Sequence, residues 1–438
     1  MKIYFETMGC PKNFNDTQAA QGILEAEGFE IAAGPEESDV IIVNTCGFIN
    51  DAKTESIGRI FELSQYKEDG KKLVVSGCLS KRYSQELLEE MPEVDLFLGV
   101  NEYEKLPEIL RELEAGGERK AVVSEDFAAC LPVLPRKLAD KPYTATLKIA
   151  EGCDNCCAYC VIPSIRGGFR SKKKEDVIAE AEMLAQAGCR ELILIAQDVT
   201  NYGMDLYGRR CLHELVEEVC RVDGIHWVRL MYCYEDRITD ELIEVMAQEA
   251  KVCHYIDIPI QHCSDAVLRG MKRRSTKKSI MSTIERLREA IPDIHIRTTF
   301  IVGFPGETEE DYEELCDFVD EVQFDRLGVF AYSQEENTVA GEREDQIDEE
   351  VKAERADGIM RQQIEISLLS NQDKVGQVLE VLVESMDEEG AYIGRTEYDA
   401  PEIDNSVIFT SERQHAPGDF VKVLINDAFD YDLVGMEV

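Results

Sequence analysis

The sequence has no long run of uncharged apolar residues. No stretch approaches the roughly eighteen such residues that a membrane-spanning helix needs, so we predict no membrane span and no membrane partner. The N-terminal residues MKIYFETMGC also lack the apolar core and small-residue cleavage site of a secretory signal. A cytoplasmic location is therefore predicted.

Basic residues are scarce as well. The chain has 47 Lys and Arg against 88 Asp and Glu, which gives a formal net charge of −41. A field of this sign repels polyanions and argues against nucleic-acid binding driven by phosphate contacts. It favours a basic partner, and the alternative is that the acidic surface serves solubility alone.

Cysteine, by contrast, is plentiful, with 15 residues. In the reducing cytoplasm these thiols are not expected to form a disulfide framework, so metal ligation or redox chemistry is the first function to consider. The chain has 438 residues, of which 44% are hydrophobic and 31% charged. These values are typical of a folded protein of two or three domains.

The pattern of strands and helices divides this α/β chain into three segments. Residues 1–130 alternate β-type and helical runs, which predicts a parallel α/β domain. Residues 140–371 repeat strand and helix six times, which predicts a partial (β/α)6 barrel closed by a helix over about residues 349–370. Residues 372–438 have short alternating runs between turn residues, which predicts a small antiparallel β-barrel.

Individual elements follow from the same pattern. The first helix is predicted to begin at Asn15 or Asp16 and to end at Gly28, and residues 131–143 form a proline-rich linker. The predicted strands are residues 2–8, 40–44, 73–76, 145–150, 191–196, 227–231, 255–260, 295–302, 327–332, 378–384 and 420–425.

The strongest chemical signal is the run EGCDNCCAYC at residues 151–160. Cys153, Cys157 and Cys160 form a CxxxCxxC motif directly after a predicted strand. Three thiolates on one loop hold three irons of a 4Fe-4S cube and leave the fourth iron open. S-adenosylmethionine (SAM) can chelate that iron, and reductive cleavage then yields a 5′-deoxyadenosyl radical, so the motif favours a radical SAM enzyme.

Zinc is the structural alternative for this run, because Cys156 allows it to be divided into two adjoining CxxC pairs. Zinc sites normally separate their pairs by a dozen or more residues, and this run has no spacer. We therefore interpret Cys156 as an additional thiol rather than a ligand.

A second triad is spread over the first segment. Cys10, Cys46 and Cys78 each lie just past a predicted strand, and the loops at the carboxyl ends of parallel strands converge on one crevice. We expect a second iron-sulfur cluster there, the alternative being three buried thiols with no ligand. The other nine cysteines are interpreted as core or incidental: 130, 156, 189, 211, 220, 233, 253, 263 and 316.

With both triads in view, the whole chain resembles the methylthiotransferase family of radical SAM enzymes. These have an N-terminal cluster domain, a radical SAM domain and a C-terminal TRAM domain. Several stretches are most similar to the RimO-type branch, which modifies ribosomal protein uS12. They are GCPKN at 9–13, NTCGFI at 44–49, LKIAEGC at 147–153, IPSIRG at 162–167, DIPIQH at 257–262, RTTFIVGFPGE at 297–307 and DAPEID at 399–404.

The resemblance implies β-methylthiolation of an aspartate of uS12 with two 4Fe-4S clusters and two SAM molecules in different roles. One SAM methylates sulfur at the N-terminal cluster and leaves S-adenosylhomocysteine. The other is cleaved at the second cluster, and the resulting radical removes hydrogen from an unactivated carbon, which general base chemistry cannot do. The substrate radical then captures the methylthio sulfur, and a low-potential donor such as flavodoxin or ferredoxin supplies electrons.

Further polar residues are candidates for SAM contact. Arg166, close after the second triad, is a potential bidentate partner of a SAM or substrate carboxylate, with a surface salt bridge as the alternative. The others lie at or just past predicted strand ends, where a barrel builds its site, although each is also a potential structural hydrogen-bonding residue. They are Gln197, Asp198, Gln261, His262, Arg297 and Glu307.

Two alternative functions remain at the level of sequence. A tRNA adenosine methylthiotransferase has the same architecture, but residues 372–438 hold 16 acidic and 4 basic residues, a net charge of −12 that should repel tRNA. The second alternative is a non-catalytic iron-sulfur electron carrier or scaffold. It predicts fully ligated clusters, whereas each triad leaves one iron open.

Overall fold

The structure, a computed structural model, describes residues 1–125, 127, 131–138 and 141–438. Within these residues the chain forms two six-stranded sheets, a closed five-stranded barrel and a small two-stranded sheet. This arrangement confirms the predicted fold class. In the described part of the chain, no helix is long and apolar enough to cross a membrane.

The N-terminal sheet is entirely parallel. Its elements are β1 (Lys2–Thr7), α1 (Pro11–Ala26), β2 (Glu30–Ile31), β3 (Val40–Thr45), α2 (Asn50–Ser64), β4 (Lys72–Gly77), α3 (Cys78–Arg82), α4 (Ser84–Glu90), β5 (Leu96–Leu98), α5 (Leu106–Glu114) and β6 (Lys120–Val122). The strand order is β2-β1-β3-β4-β5-β6. Every residue of β3 is buried, because helices cover both faces of the sheet with separate apolar clusters.

The start of α1 differs from the sequence prediction. The helix begins at Pro11, with Cys10 at its N-cap, and not at Asn15 or Asp16. Proline suits the first helical turn because its missing N–H would have no partner there. Asn15 and Asp16 are helical instead, and their side chains bind Thr146, Lys148 and Arg166 of the next segment.

The central sheet is also parallel and has the order β14-β13-β12-β11-β10-β7. The elements of this segment are β7 (Thr144–Lys148), β8 (Ala150–Glu151), α6 (Ile162–Arg166), β9 (Arg170–Ser171), α7 (Lys174–Gln186), β10 (Glu191–Ile195), α8 (Met204–Tyr207), α9 (Leu212–Cys220), β11 (Trp227–Leu230), α10 (Asp240–Gln248), β12 (Val252–Gln261), α11 (Asp265–Gly270), α12 (Lys277–Ala290), β13 (His295–Val302), α13 (Glu309–Val322), β14 (Arg326–Ala331) and α14 (Glu349–Gln372). The helices pack on one face of the sheet around the largest apolar cluster.

The C-terminal barrel closes through strands β15 (Val378–Met386), β16 (Tyr392–Arg395), β17 (Val407–Thr410), β18 (Phe420–Ala428) and β19 (Leu433–Glu437). Its pairs are antiparallel, as predicted, except for β17 and β19, which run parallel. The long connection from Ser411 to Asp419 lets the chain form β18 before β19 returns beside β17. The barrel core is a single apolar cluster that includes Val381, Phe409 and Val423.

The barrel packs against the face of the central sheet that the helices leave uncovered. Ile193, Tyr255 and Trp227 of that face form one apolar cluster with Leu382 and Ala400 of the C-terminal segment. A buried ion-pair group reinforces this contact, because Arg395 of the barrel and Arg229 of β11 both bind Glu191 at the start of β10. The C-terminal barrel is thus fixed to the central sheet.

Candidate active site

The three cysteines of the first segment meet at the carboxyl edge of the N-terminal sheet. Cys10 follows β1 at the N-cap of α1, Cys46 follows β3, and Cys78 is the first residue of α3 after β4. Their charges act on one another: burial, together with the charges of Cys78 and Cys10, raises the pKa of the Cys46 thiol to about 11. The sequence thus brings three thiols to one place, as a parallel sheet requires.

Glycines allow this close approach. Gly77 has φ +97°, and a Cβ there would lie 2.4 Å from Asn44 Oδ1 and 2.5 Å from the Thr45 carbonyl oxygen. Gly9 has φ +89°, and a Cβ there would lie 2.8 Å from Cys46 Cβ. Only glycine fits such positions, where the backbone is left-handed and the neighbouring chain is in contact.

Asn13 ties the three loops together. Its Nδ2 donates to the Met8 and Thr45 carbonyl oxygens at 2.9 and 3.1 Å, while its own carbonyl accepts from Asn44 Nδ2 at 2.9 Å. Its Oδ1 accepts from Arg166 at 2.8 Å and from the Cys78 thiol at 3.8 Å. Asn13 therefore orders the loops that carry the first triad.

The second triad occupies the loop after β7 and β8, at the carboxyl edge of the central sheet. Cys153 is buried and Cys157 and Cys160 are partly exposed, whereas Cys156 is exposed. The Asn155 backbone N–H and Nδ2 donate to Cys153 Sγ at 3.4 and 3.3 Å, and the Ile162 N–H donates to Cys160 Sγ at 3.5 Å. These donors suit sulfurs that carry negative charge.

Two thiols of each triad have raised pKa values, namely Cys46 and Cys78 in the first and Cys153 and Cys160 in the second. Burial raises the pKa of Cys153 to about 11, and burial followed by the charges of Cys157 and Cys153 raises the pKa of Cys160. Such thiols stay protonated at neutral pH unless a metal stabilises the thiolate. Among the described residues, no three Cys, His, Asp or Glu side chains gather tightly enough for a single metal ion. The donor chemistry fits an iron-sulfur cluster at each triad, with thiolate ligands and N–H groups directed at sulfur.

Arg166 follows the second triad in the chain and reaches the first triad. It lies on α6, just after Cys160, and only 2% of it is exposed, so the alternative of a surface salt bridge is wrong. Its guanidinium donates to Asp16 at 2.8 Å and to Glu151 at 3.1 Å, and it lies 3.5 Å from Cys78 Sγ. The structure thus places Arg166 at the first triad, and its contact with a SAM or substrate carboxylate stays a prediction.

Two tyrosines after β11 lie near the triad loops. The Tyr234 hydroxyl lies 3.9 Å from Cys157 Sγ. The Tyr232 ring lies under the ammonium of Lys12, which is 3.4 Å from the ring centroid. Tyr232 has φ +62°, and its N–H donates to Asp257 Oδ2 at 2.9 Å, which holds the loop in this strained form.

Gln197 and Asp198 follow the carboxyl end of β10 and lie beside the second triad. Gln197 Nε2 donates to Glu151 Oε1 at 2.6 Å, and its buried Oε1 has no hydrogen-bond partner. Asp198 accepts from Asn155 Nδ2 at 3.2 Å and forms an ion pair with Arg237. The unsatisfied oxygen of Gln197 is available to a ligand, and its role in SAM binding stays a prediction.

Arg297, Gln261, His262 and Glu307 lie further along the same edge. Arg297 binds Asp257 at 2.9 Å and Asp404 of the C-terminal segment at 3.3 Å. Gln261 has φ +76° and donates to the Pro259 carbonyl. His262 and Glu307 are buried, with His262 Nε2 3.7 Å from Glu307 Oε2, and their SAM contacts stay predictions.

His262 and Glu307 have shifted pKa values. Burial lowers the pKa of His262 to about 4, so its ring is neutral at pH 7. Burial raises the pKa of Glu307, although Arg355 binds its Oε1 at 2.7 Å. This pair is connected to α14 through Arg355, whereas Gln197 and Asp198 are connected to the second triad.

Most of the remaining cysteines lie in the protein interior. Cys189, Cys211, Cys220, Cys233, Cys253 and Cys263 are buried, and Cys316 is partly exposed. Cys130 lies outside the described residues.

Sequence reasoning did not identify Asn13, Lys12, Tyr232, Tyr234 and Asn155 as site residues. Lys12 and Asn13 belong to the GCPKN stretch and Asn155 lies between two cysteines, so proximity to a motif could have indicated them. Tyr232 and Tyr234 follow a predicted strand, which is the same signal that selected Gln197.

Three family models match the chain. They are "Uncharacterized protein family UPF0004" over residues 2–99, "Radical SAM superfamily" over residues 147–319 and "TRAM domain" over residues 375–438. Together with the second triad at the edge of a parallel sheet, these matches define the chain as a radical SAM protein. Proteins of this superfamily bind SAM and a 4Fe-4S cluster.

Solved structures share the fold. The radical SAM methyltransferase TsrM from Kitasatospora setae has a TM-score of 0.58 at 15% identity, covering 78% of this chain and 74% of its own. The cobalamin-dependent SAM radical enzyme OxsB has a TM-score of 0.52 at 14% identity, covering 82% and 56%. At these identities the likeness concerns the fold alone.

Close relatives specify the family. "Ribosomal protein uS12 methylthiotransferase RimO" from Desulforamulus reducens is 51% identical, over 98% of each chain. Relatives of the same name from Clostridioides difficile and Pelotomaculum thermopropionicum are 48% and 50% identical over at least 98% of each chain. The chain belongs to the RimO family of radical SAM methylthiotransferases.

Proposed function

We propose that this protein β-methylthiolates an aspartate side chain of ribosomal protein uS12. The observation that carries the proposal is the pair of cysteine triads at the carboxyl edges of the two parallel sheets, with Arg166, which follows the second triad in the chain, in contact with Cys78 of the first. Two triads support two 4Fe-4S clusters, on Cys10, Cys46 and Cys78 and on Cys153, Cys157 and Cys160. The name of the close relatives supports uS12 as the substrate.

When bound, the clusters and two SAM molecules would supply a methylated sulfur and a 5′-deoxyadenosyl radical. The chain itself orders their ligands. Asn155 and the Ile162 N–H hold Cys153 and Cys160 by hydrogen bonds to sulfur, and Asn13 holds the loops of the first triad. Val161 and Ile165 pack against Cys78 and Val100 in a small apolar cluster, which excludes water from the space beside the first triad.

The C-terminal barrel favours a basic protein over tRNA. Of its four basic residues, Lys374 and Arg395 are buried. The exposed pair, Arg413 and Lys422, already bind Glu437 and Glu380. In the part of the chain that the structure describes, both exposed cations of the barrel are therefore paired with carboxylates, whereas its exposed carboxylates complement a basic ribosomal protein. The exposed carboxylates include Asp373, Glu388, Glu389, Glu402, Glu412, Asp419, Asp427 and Asp430.

The reaction also needs an electron source and a location. A low-potential protein such as flavodoxin or ferredoxin is the proposed donor, because reductive cleavage of SAM consumes an electron. The cytoplasm is the proposed location, since the substrate is ribosomal. We further propose that residues 1–130, 140–371 and 372–438 are the cluster, radical SAM and TRAM domains.

A competition experiment tests the substrate. The protein is reconstituted anaerobically with iron and sulfide and then incubated with SAM, a reductant, purified uS12 and bulk tRNA together. Mass spectrometry of both is expected to find one methylthio group on an aspartate of uS12 and 5′-deoxyadenosine in the solution. A methylthio group on a tRNA adenosine, with uS12 unchanged, would replace the proposal with the tRNA alternative.

A further inference from the structure

Lys12 is a buried cation without an anionic partner. Only 7% of it is exposed, and in the described part of the structure its ammonium makes no hydrogen bond or ion pair. Its neighbour is the ring of Tyr232, whose centroid lies 3.4 Å from Nζ. Buried charges in proteins are normally paired, so this arrangement points to an anion that the folded chain does not itself supply.

The carboxylates that act on Lys12 are bound elsewhere. Burial lowers the pKa of Lys12, the charge of Cys10, a proposed ligand of the first cluster, attracts its ammonium, and Arg166 repels it. Glu151 and Asp257 also attract the ammonium. Glu151 is bound to Lys148 at 2.9 Å and to Arg166 at 3.1 Å. Asp257 is bound to Arg297 at 2.9 Å and accepts the Tyr232 N–H. Neither forms an ion pair with Lys12.

Lys12 lies between the two triads. It is two residues from Cys10 on the first-triad loop, and it rests on Tyr232, two residues from Tyr234. The Tyr234 hydroxyl lies 3.9 Å from Cys157 Sγ of the second triad. Lys12 therefore lies close to the loops that carry both triads.

We propose that Lys12 binds the side-chain carboxylate of the substrate aspartate. This inference rests on the proposed function and names a specificity residue for it. A charge-assisted hydrogen bond from a desolvated ammonium holds a carboxylate firmly, and the Tyr232 ring keeps the cation in place by cation–π attraction. Holding the carboxylate would keep the adjacent carbon, which loses hydrogen, close to the loops of both triads. A neutral amide in place of the carboxylate loses this attraction.

Binding of two forms of uS12 tests the proposal. The aspartate that mass spectrometry identifies as modified is changed to asparagine, and both forms are titrated with the reconstituted wild-type protein and with Lys12→Met, Lys12→Arg and Lys278→Met. Lys278 is exposed, so its variant is the matched control. We expect the wild-type protein and Lys278→Met to bind the aspartate form of uS12 at least about tenfold more tightly than the asparagine form. Lys12→Met should lose the preference and Lys12→Arg should keep most of it, with iron content and absorption spectra equal to those of wild type.

Several results would overturn this assignment. Equal binding of the two forms of uS12 by the wild-type protein would overturn it, and this result requires no variant of the enzyme. A Lys12→Met protein that keeps the preference but binds SAM weakly would assign Lys12 to the SAM carboxylate instead. If the wild-type protein modifies uS12 and yet shows no preference, only the role of Lys12 fails. If it modifies tRNA and does not bind uS12, the proposed function fails as well.

Discussion

At the scale of single residues, Arg166 is the most constrained cation of the site. It contacts two carboxylates, the Asn13 side chain and the Cys78 sulfur, and these partners come from two different domains. Burial alone would raise the pKa of Glu151, but Arg166 and Lys148 lower it, so the carboxylate remains ionised. Removing the guanidinium leaves two buried carboxylates with one cation fewer.

Arg166→Met is therefore expected to destabilise the protein by about 3–5 kcal/mol, the typical result of breaking a buried ion pair from one side. Urea unfolding under anaerobic conditions measures the change. Arg361→Met is the control, because Arg361 is 77% exposed and lies 3.9 Å from Asp357. Its effect should remain within about 0.5 kcal/mol, and an equal loss in both variants would contradict the importance of the Arg166 network.

The neighbouring cysteines 156 and 157 give a second residue-scale prediction. Cys157→Ala should lower the iron and acid-labile sulfide of the reconstituted protein by half, since a triad with two thiols no longer holds its cluster. Cys156→Ala should keep the full iron and sulfide content, because that thiol is exposed and, within the described residues, its Sγ hydrogen-bonds to the Asp154 carbonyl at 3.8 Å alone. Iron and sulfide analysis of both variants tests this expectation. A full iron and sulfide content in Cys157→Ala would show that Cys156 serves as the cluster ligand in place of Cys157.

At the scale of elements, the turn from β4 to α3 positions Cys78. Gly77 makes that turn with a left-handed backbone, against Asn44 and the Thr45 carbonyl of the neighbouring strand. A methyl group at Gly77 has no space, and its φ is unfavourable for any residue with a Cβ. The position of one ligand thus depends on one glycine.

Gly77→Ala is expected to lower the unfolding temperature and to reduce the iron bound by the first triad. Gly58→Ala is the matched control: Gly58 lies within α2, and a Cβ there meets nothing within 4 Å. That variant should be neutral or up to about 1 kcal/mol more stable, because alanine favours helix. Differential scanning calorimetry and iron analysis measure both. Normal iron loading in Gly77→Ala would refute the role of the turn.

The strands and triads could be predicted, because they depend on local patterns. Buried runs such as Val40–Thr45 and regular spacing revealed the parallel strands that bring Cys10, Cys46 and Cys78 together. The two-residue strand Glu30–Ile31 is too short to show a period, and it was missed. The place of Arg166 could not be predicted, because its partner Asp16 lies 150 positions away in the sequence.

At the scale of the whole molecule, a buried ion-pair group fixes the C-terminal barrel. Burial alone would raise the pKa of Glu191, but Arg395 and Arg229 lower it from 4.5 to about 2. A carboxyl whose pKa is lower in the folded state stabilises that state above its unfolded pKa. This contribution is complete above about pH 4.5 and is lost as the pH falls towards 2.

The stability of the full chain should therefore fall more steeply from pH 5 to pH 3 in the wild type than in Glu191→Gln. Thermal unfolding of iron-free protein at several pH values measures both curves without a contribution from cluster loss. At pH 7 the variant should be the less stable, since Arg395 and Arg229 lose their shared anion. Parallel curves would show that the Glu191 group does not set the acid sensitivity.

The central claim is that two cysteine triads and two roles of SAM serve one reaction on uS12. The most direct test uses SAM labelled with deuterium in its methyl group, together with the reconstituted protein, a reductant and uS12. We predict that intact-mass and fragment spectra show a labelled methylthio group on one aspartate, with both S-adenosylhomocysteine and 5′-deoxyadenosine in the solution. An unlabelled methylthio group, or no gain on uS12 while both SAM products form, would contradict the claim.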